Sequence, residues 1–238
     1  MSDNRTVTSV PSLLLFARAP EAGRAKTRLA PVLGAQGAAR LYRAFLEDAA
    51  RCYGPPAPWS SVLCADPGPE VAPLPEIFPP PWRGRPQAKG DLGARLRAAF
   101  EEEFRGGAEA ALAVGSDHPA LPRRRLLELL AGFAAGAQAV LIPAEDGGYC
   151  VVGLSREVPV REVFRDIPWS SEGVLDATVA RLAAASVRYA LLAPSYDVDR
   201  PEDLARLRAD VETRDSSEPD YPRATARALA DLARAGLP

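Results

Sequence analysis

The chain has 238 residues, 47% hydrophobic and 25% charged, which is enough to bury a core within one domain and excludes a disordered or fibrous polypeptide. Lys and Arg number 29 against 31 Asp and Glu, for a net charge of -2. The pI near 5.6 denies the chain the global positive field that nucleic-acid binding favours, so no nucleic-acid partner is expected and an anionic ligand must be met by local charge.

Residues 13–17 form a short apolar run between Pro11 and Pro20, the pattern of a buried parallel strand. Over 35–53, Ala38, Leu41, Tyr42, Phe45 and Ala49 recur at three and four while Arg40, Arg43, Glu47 and Asp48 take other faces, which predicts an amphipathic helix. Residues 61–65 read as a second strand and the Pro-rich stretch 67–86 as an irregular surface excursion. A helix is expected over 91–104, with Leu92, Leu96, Ala99 and Phe100 on one stripe. The apolar runs 110–114 and 137–142 are strands, and the helix 122–133 between them is about long enough for a crossover, which makes them parallel neighbours. A strand over 149–154, a helix over 171–185 and a last strand over 189–192 follow. Pro201 then opens a helix over 201–211 with Glu202 and Asp203 in its first turn. A polar connector, 213–222, leads to an Ala-rich helix near 223–234, and the chain has no internal repeat.

Strands alternating with helices predict an α/β fold, a mostly parallel sheet flanked by helices, with ligands bound beyond the carboxyl ends of the strands. One domain over 1–238 is expected, with its core at about 11–212 and a C-terminal helix at about 223–235. Cys52, Cys64 and Cys150 are odd in number and lack a Cys-x-x-Cys pair, so they read as reduced core residues, not as a disulfide framework or zinc site. The first ten residues are polar and the run 13–17 is too short for a signal-peptide core or membrane span; a cytoplasmic protein without a membrane partner is expected. Lys26 and Lys89 are the two lysines against 27 arginines. A Lys kept against that bias suits a point-charge phosphate site, where a compact ammonium differs from a guanidinium.

Four loops carry chemistry. After the first strand, Arg18, Arg24, Lys26 and Arg28 lie within eleven residues around Gly23. The Gly-Lys-Thr ending of a P-loop is missing, but such a loop can wrap a diphosphate with backbone N–H groups and charge-assisted bonds; the alternative is a solvated Arg-rich loop. After the 110–114 strand, Gly115-Ser116-Asp117-His118-Pro119 offers Asp117 as a ligand for a Mg²⁺ that bridges phosphate oxygens, or as a turn acid. His118, the one histidine, reads as structural or catalytic. The third loop, Pro143-Ala144-Glu145-Asp146-Gly147-Gly148-Tyr149, is either a tight hairpin turn or a place where bare backbone lets a polyhydroxy acceptor approach. In the fourth, Asp197-Val198-Asp199-Arg200-Pro201, Asp199 either caps the helix that Pro201 starts or supplies a second metal ligand.

Taken together the motifs resemble the bacterial DUF2064 family from about Leu13 to about Leu207. They are Phe16-Ala17-Arg18-Ala19-Pro20-x-x-Gly23-x-x-Lys26-Thr27-Arg28-Leu29, Gln87-x-x-Gly90-Asp91-Leu92-Gly93-x-Arg95-Leu96, Gly115-Ser116-Asp117-x-Pro119, Pro143-Ala144-x-Asp146-Gly147-Gly148-Tyr149, Trp169-Ser170 and Asp197-Val198-Asp199-x-Pro201-Glu202-Asp203-Leu204. The resemblance implies a GT-A, or nucleotide-diphospho-sugar transferase, fold and a group usually labelled glycosyltransferase and associated with arsenosugar or selenium pathways. The first loop is also similar to that of phospholactate guanylyltransferases.

The resemblance thus implies a glycosyltransferase that uses Mg²⁺ or Mn²⁺, a nucleotide sugar and a small-molecule acceptor. The alternative is nucleotidyl transfer from an NTP to a phosphorylated small acid or sugar phosphate with release of pyrophosphate. A non-catalytic nucleotide-binding module is a third class, less suited to acids set beside cations. On these readings Arg18, Gly23, Lys26, Thr27, Arg28 and Lys89 meet the donor's phosphates, and Asp117 and Asp199 hold the metal. Asp146, with Asp117, is assigned to catalysis, and Gly147, Gly148, Tyr149, Trp169 and Ser170 face the acceptor.

Overall fold

The computed structural model describes residues 10–237. The chain runs β1 (Ser12–Arg18), α1 (Ala30–Tyr53), β2 (Ser60–Asp66), α2 (Leu74–Ile77), β3 (Arg83–Pro86), α3 (Leu92–Arg105), β4 (Ala110–Gly115), α4 (Arg123–Ala134), β5 (Ala139–Pro143), β6 (Tyr149–Ser155), α5 (Val160–Val163), α6 (Val174–Ala184), β7 (Tyr189–Leu191), α7 (Pro201–Thr213) and α8 (Arg223–Arg234).

The strands form a seven-stranded sheet in the order β3-β2-β1-β4-β6-β5-β7. All pairings are parallel except those of β6, which is antiparallel to both β4 and β5. Alternation along the strands divides the core. Leu13, Leu15, Leu63, Leu112, Val114, Val140 and Ile142 pack with α1, α4, α7 and α8 on one face. Leu14, Val62, Cys64, Ala111, Ala113, Leu141 and Val152 pack with α3, α5 and α6 on the other. The result is a helix–sheet–helix sandwich of mostly parallel strands, as the alternating pattern requires.

Three expectations are corrected. The strands at 110–114 and 137–142 run in the same direction but are not neighbours: the chain crosses by α4, overshoots by one position, and returns through the β5–β6 hairpin to fill the gap with β6. The stretch 67–86 holds α2 and the edge strand β3, which pairs with β2 from Val62 against Arg83 to Ala65 against Pro86. Its sequence, Arg-Gly-Arg-Pro, lacks the apolar alternation that marks a strand, because both faces of this edge are largely open to water. Leu92 does not join the stripe of α3. It is 44% exposed at the helix's first residue while Leu96, Ala99 and Phe100 are buried.

The three cysteines are free and buried, and burial pushes the Cys52 and Cys150 thiols up to about 12, with nearby acid charge adding to the shift. Among the described residues no helix is long and apolar enough to cross a membrane. The topology gathers the ends of β1, β2, β3, β4, β5 and β7 at one edge of the sheet. The motif loops after β1, β3, β4, β5 and β7 emerge there, while Trp169-Ser170 lies in the connection between α5 and α6.

Candidate active site

The loop after β1 folds back as a series of tight turns, with Gly23 at φ 79 and Lys26 at φ 49. That left-handed conformation is costly for a residue with a Cβ, and it turns the Lys26 side chain inward. Lys26 Nζ lies 2.6 Å from Asp117 Oδ1 and 3.7 Å from Asp199 Oδ1, and Arg28 Nη1 lies 2.6 Å from Asp199 Oδ2. The Lys26 side chain is 3% exposed, whereas those of Asp117 and Asp199 are 47% and 32% exposed. Two carboxylates from distant parts of the chain therefore converge on one buried ammonium and are open to solvent on their outer side. Burial disfavours charge on Asp117, but the Lys26 ammonium and its hydrogen bond, with His118 and Arg18 nearby, outweigh this and hold the carboxyl below its usual range.

Tyr42, expected only as a core residue of α1, forms the floor. Its hydroxyl accepts the Arg18 backbone N–H at 3.1 Å and pairs with Ser116 Oγ at 2.7 Å. Its ring centroid is 5.9 Å from Lys26 Nζ, a cation–π contact. No signal for this role is present in the sequence, because Tyr42 fits the apolar stripe and its hydroxyl acquires partners only when α1 docks beneath β1 and β4.

The loop before α7 is tied to the β4 loop by Val198 N–H to Asp117 O at 2.9 Å. His118 Nδ1 donates to Tyr196 O at 3.0 Å, so the single histidine acts as a strut, and burial lowers its pKa. Asp199 is not the helix cap. Asp203 Oδ2 accepts the backbone N–H groups of Asp199 at 2.8 Å and Arg200 at 2.6 Å, which leaves the Asp199 carboxylate for Lys26 and Arg28. Asp197, with a pKa raised by burial and by Asp146 against the lowering influence of His118, brings a further acid close to this group.

In the β5–β6 hairpin, Asp146 is exposed and its Oδ1 accepts the Gly148 N–H at 3.0 Å. Gly147 has φ 87, and a Cβ there would stand 2.1 Å from Glu172 O. Leu175 N–H also donates to Gly147 O at 2.9 Å, so bare backbone at 147 is required by the turn and by the segment leading into α6. Glu145 is held by Arg206 through bonds of 2.5 and 2.9 Å.

The remaining assigned residues are spread along the same edge. Arg18 Nη1 donates to Arg24 O at 3.2 Å, while Thr27 and Lys89 are exposed. Trp169 packs against the start of α3, where a Cβ on Gly93 would meet its indole at 2.6 Å. Trp169 also contacts Tyr149 edge-on at 6.5 Å, and Ser170 follows at φ 67. Gln87 Nε2 bridges the Ala17 and Cys64 carbonyls at 3.0 and 2.9 Å. Arg95 reaches Gly90 O, Asp66 and Gln87, so the Gln87 motif is a rigid brace across the ends of β1, β2 and β3.

Among the described residues no group of three or more His, Cys, Asp or Glu side chains is arranged to hold a metal. Asp117 and Asp199 nevertheless fit one that also binds phosphate: Mg²⁺ commonly uses one or two carboxylates together with phosphate oxygens, and these two already meet around a cation.

The chain matches a protein from Desulfovibrio desulfuricans G20, described as a candidate nucleotide-diphospho-sugar transferase, at 29% identity over 95% of this chain and 96% of that chain, with a TM-score of 0.83. A cytidylyltransferase from Leptospira borgpetersenii serovar Hardjo-bovis matches at 11% identity over 96% and 95% of the two chains, TM-score 0.57. A 4-diphosphocytidyl-2C-methyl-D-erythritol synthase from Anaerococcus prevotii matches at 10% identity over 85% and 96%, TM-score 0.56. The first match shows the nucleotide-diphospho-sugar transferase fold, and the other two share it at the level of fold alone. No curated protein matches by sequence. The model of DUF2064, described as uncharacterized protein conserved in bacteria, matches residues 53–171, half of the 238 residues: the chain belongs to the DUF2064 family.

Proposed function

We propose that the chain is a transferase that takes a sugar from a nucleotide-sugar donor and passes it to a small-molecule acceptor at this edge of the sheet. The observation that carries the reading is the convergence of Lys26 and Arg28 with Asp117 and Asp199, a basic loop brought against two solvent-open carboxylates. The likeness to the D. desulfuricans protein over nearly the whole of both chains supports it.

Asp117 and Asp199, with phosphate oxygens of the donor, would hold a divalent cation, Mg²⁺ or Mn²⁺, whose contribution is to neutralise charge on the departing diphosphate. Arg18, Lys26 and Arg28 meet the same phosphates with charge-assisted bonds, and the turns around Gly23 and Thr27 offer backbone N–H groups. Lys89 is exposed at the mouth of the neighbouring loop and extends the basic rim. Asp146 accepts the proton of the acceptor hydroxyl, and Gly147 and Gly148 let the acceptor approach the backbone. Tyr149, Trp169 and Ser170 form the wall toward α3 on which the acceptor rests. The free, buried cysteines favour a reducing, cytoplasmic setting.

A second reading, nucleotidyl transfer from an NTP, draws on two observations. Arg18, Arg24, Lys26 and Arg28 suit a departing pyrophosphate, and Gly115-Ser116-Asp117-His118 supplies one Asp where a metal-dependent glycosyltransferase is expected to carry Asp-x-Asp. Thermal unfolding with Mg²⁺ and a panel of nucleotide sugars and NTPs separates the two, because a ligand at 100 times its Kd stabilises the native state by about 2.7 kcal/mol. A rise with one nucleotide sugar and not with the matching NTP is expected. A rise with an NTP alone would transfer the assignment to nucleotidyl transfer, and no rise with any nucleotide would overturn both.

A further inference from the structure

Lys26 is engaged by the two carboxylates and can meet the donor's phosphates only by leaving them. Its ammonium is enclosed between Asp117 and Asp199 on one side and the Tyr42 ring on the other, and its side chain is 3% exposed. The cation position that the two carboxylates define is already filled, by a residue of the chain itself. Charge makes the same point. Asp117 and Asp199 carry two negative charges and are contacted by two positive ones, Lys26 at 2.6 and 3.7 Å and Arg28 at 2.6 Å. A divalent cation arriving alone would be added beside two like charges that already balance this carboxylate pair. A diphosphate arriving with it supplies the anionic oxygens that can take over the ammonium and guanidinium, and so frees the carboxylates.

We propose that Lys26 is a resident counter-ion that occupies the metal position until metal and diphosphate arrive together, so that the chain binds a divalent cation weakly by itself and couples its uptake to the donor. This deepens the reading of Asp117 and Asp199 as the metal-holding pair, and rests on it. The buried stem and the left-handed backbone at φ 49 fix where the side chain originates, while the solvent-open outer sides of both carboxylates give the incoming ion its approach. Coupling of this kind is reciprocal: metal and diphosphate must strengthen each other's binding by the same factor.

The test uses the full chain and Mn²⁺ alone, with bound ion counted by its paramagnetic resonance. Lys26→Met is expected to bind Mn²⁺ about ten-fold more tightly than the wild type, the scale of losing one charge-assisted contact that competes for the same oxygens. Asp117→Asn and Asp199→Asn should bind it more weakly. Lys26→Gln serves as a second variant, with circular dichroism checking that each remains folded.

A measurement on the unaltered chain runs beside it. With ¹³Cε-labelled lysine the protein gives two lysine side-chain signals, since Lys26 and Lys89 are its only lysines. The buried one should stay in place with Mg²⁺ alone and shift with Mg²⁺ and inorganic pyrophosphate together. If both carboxylate variants lose Mn²⁺ binding while the Lys26 variants do not gain it, or if the buried lysine signal ignores Mg²⁺ with pyrophosphate, the counter-ion proposal falls and the metal site stands. If Asp117→Asn and Asp199→Asn bind Mn²⁺ as the wild type does, the metal-site reading falls and the counter-ion proposal with it.

Discussion

At the tip of the β5–β6 hairpin, Asp146 is exposed and accepts the Gly148 N–H through Oδ1. Asparagine can keep that bond through its own Oδ1 but cannot take a proton, so Asp146→Asn separates shape from chemistry. Turnover should fall by about 10² to 10⁴ while donor affinity measured by calorimetry is retained, because base assistance acts on the chemical step; equal loss of both would make Asp146 a donor or metal ligand. The residue types of the site were legible because each acid and cation stands in a short motif at a strand end. Their pairing was not. Lys26, Asp117 and Asp199 meet only after β1, β4 and the loop before α7 are assembled, and sequence spacing carries no record of which ammonium reaches which carboxylate. The capping alternative for Asp199 is closed by Asp203, which takes both cap N–H groups.

Elements at the opposite end of the strands serve stability. Glu103 of α3 is buried and accepts Ser12 Oγ at 2.5 Å and Arg83 Nη2 at 2.8 Å, which links α3 to β1 and the edge strand β3. Burial works against its charge, but the Ser12 and Arg83 hydrogen bonds and the Arg83 and Arg85 guanidinium groups hold its carboxyl below the ordinary 4.5. A pKa depressed by folding contributes stability above the unfolded value, and that contribution is lost as pH falls from about 4.5 through the folded value. Glu103→Gln should therefore lower stability at neutral pH and flatten the acid limb of the unfolding midpoint against pH, with nucleotide binding unchanged. A limb as steep as that of the wild type would assign acid sensitivity to other carboxylates. The same network explains why β3 escaped a reading by hydropathy: Arg83 and Arg85 are held by Glu103 and Glu102 instead of by an apolar face. The long elements were legible from periodicity, as the burial of Leu41, Tyr42, Phe45 and Ala49 along α1 confirms; Asp48, read with the charged residues on the other faces, is instead buried, its carboxylate accepting the Ala224 and Thr225 N–H groups of α8.

For the whole molecule, alternation of strand and helix was enough to foretell a mostly parallel sheet with the motif-bearing loops after β1, β4 and β5 at its carboxyl edge. It was not enough to foretell β6, because a short hairpin after β5 is equally consistent with a strand at the sheet's margin and with one inserted between β4 and β5. That insertion has a geometric consequence: it sets the hairpin carrying Asp146 beside the end of β4, two residues before Asp117. In the proposed function, Asp117 and Asp199 bind a divalent cation together with the donor's diphosphate. The most direct measurement is calorimetric titration of the donor selected by the thermal panel into wild type and Asp117→Asn, each with and without Mg²⁺. Mg²⁺ is expected to strengthen binding to the wild type by about ten-fold or more and to leave binding to Asp117→Asn nearly unchanged, while the ligand-free melting temperature stays close to wild type. Equal strengthening by Mg²⁺ in both proteins would contradict it.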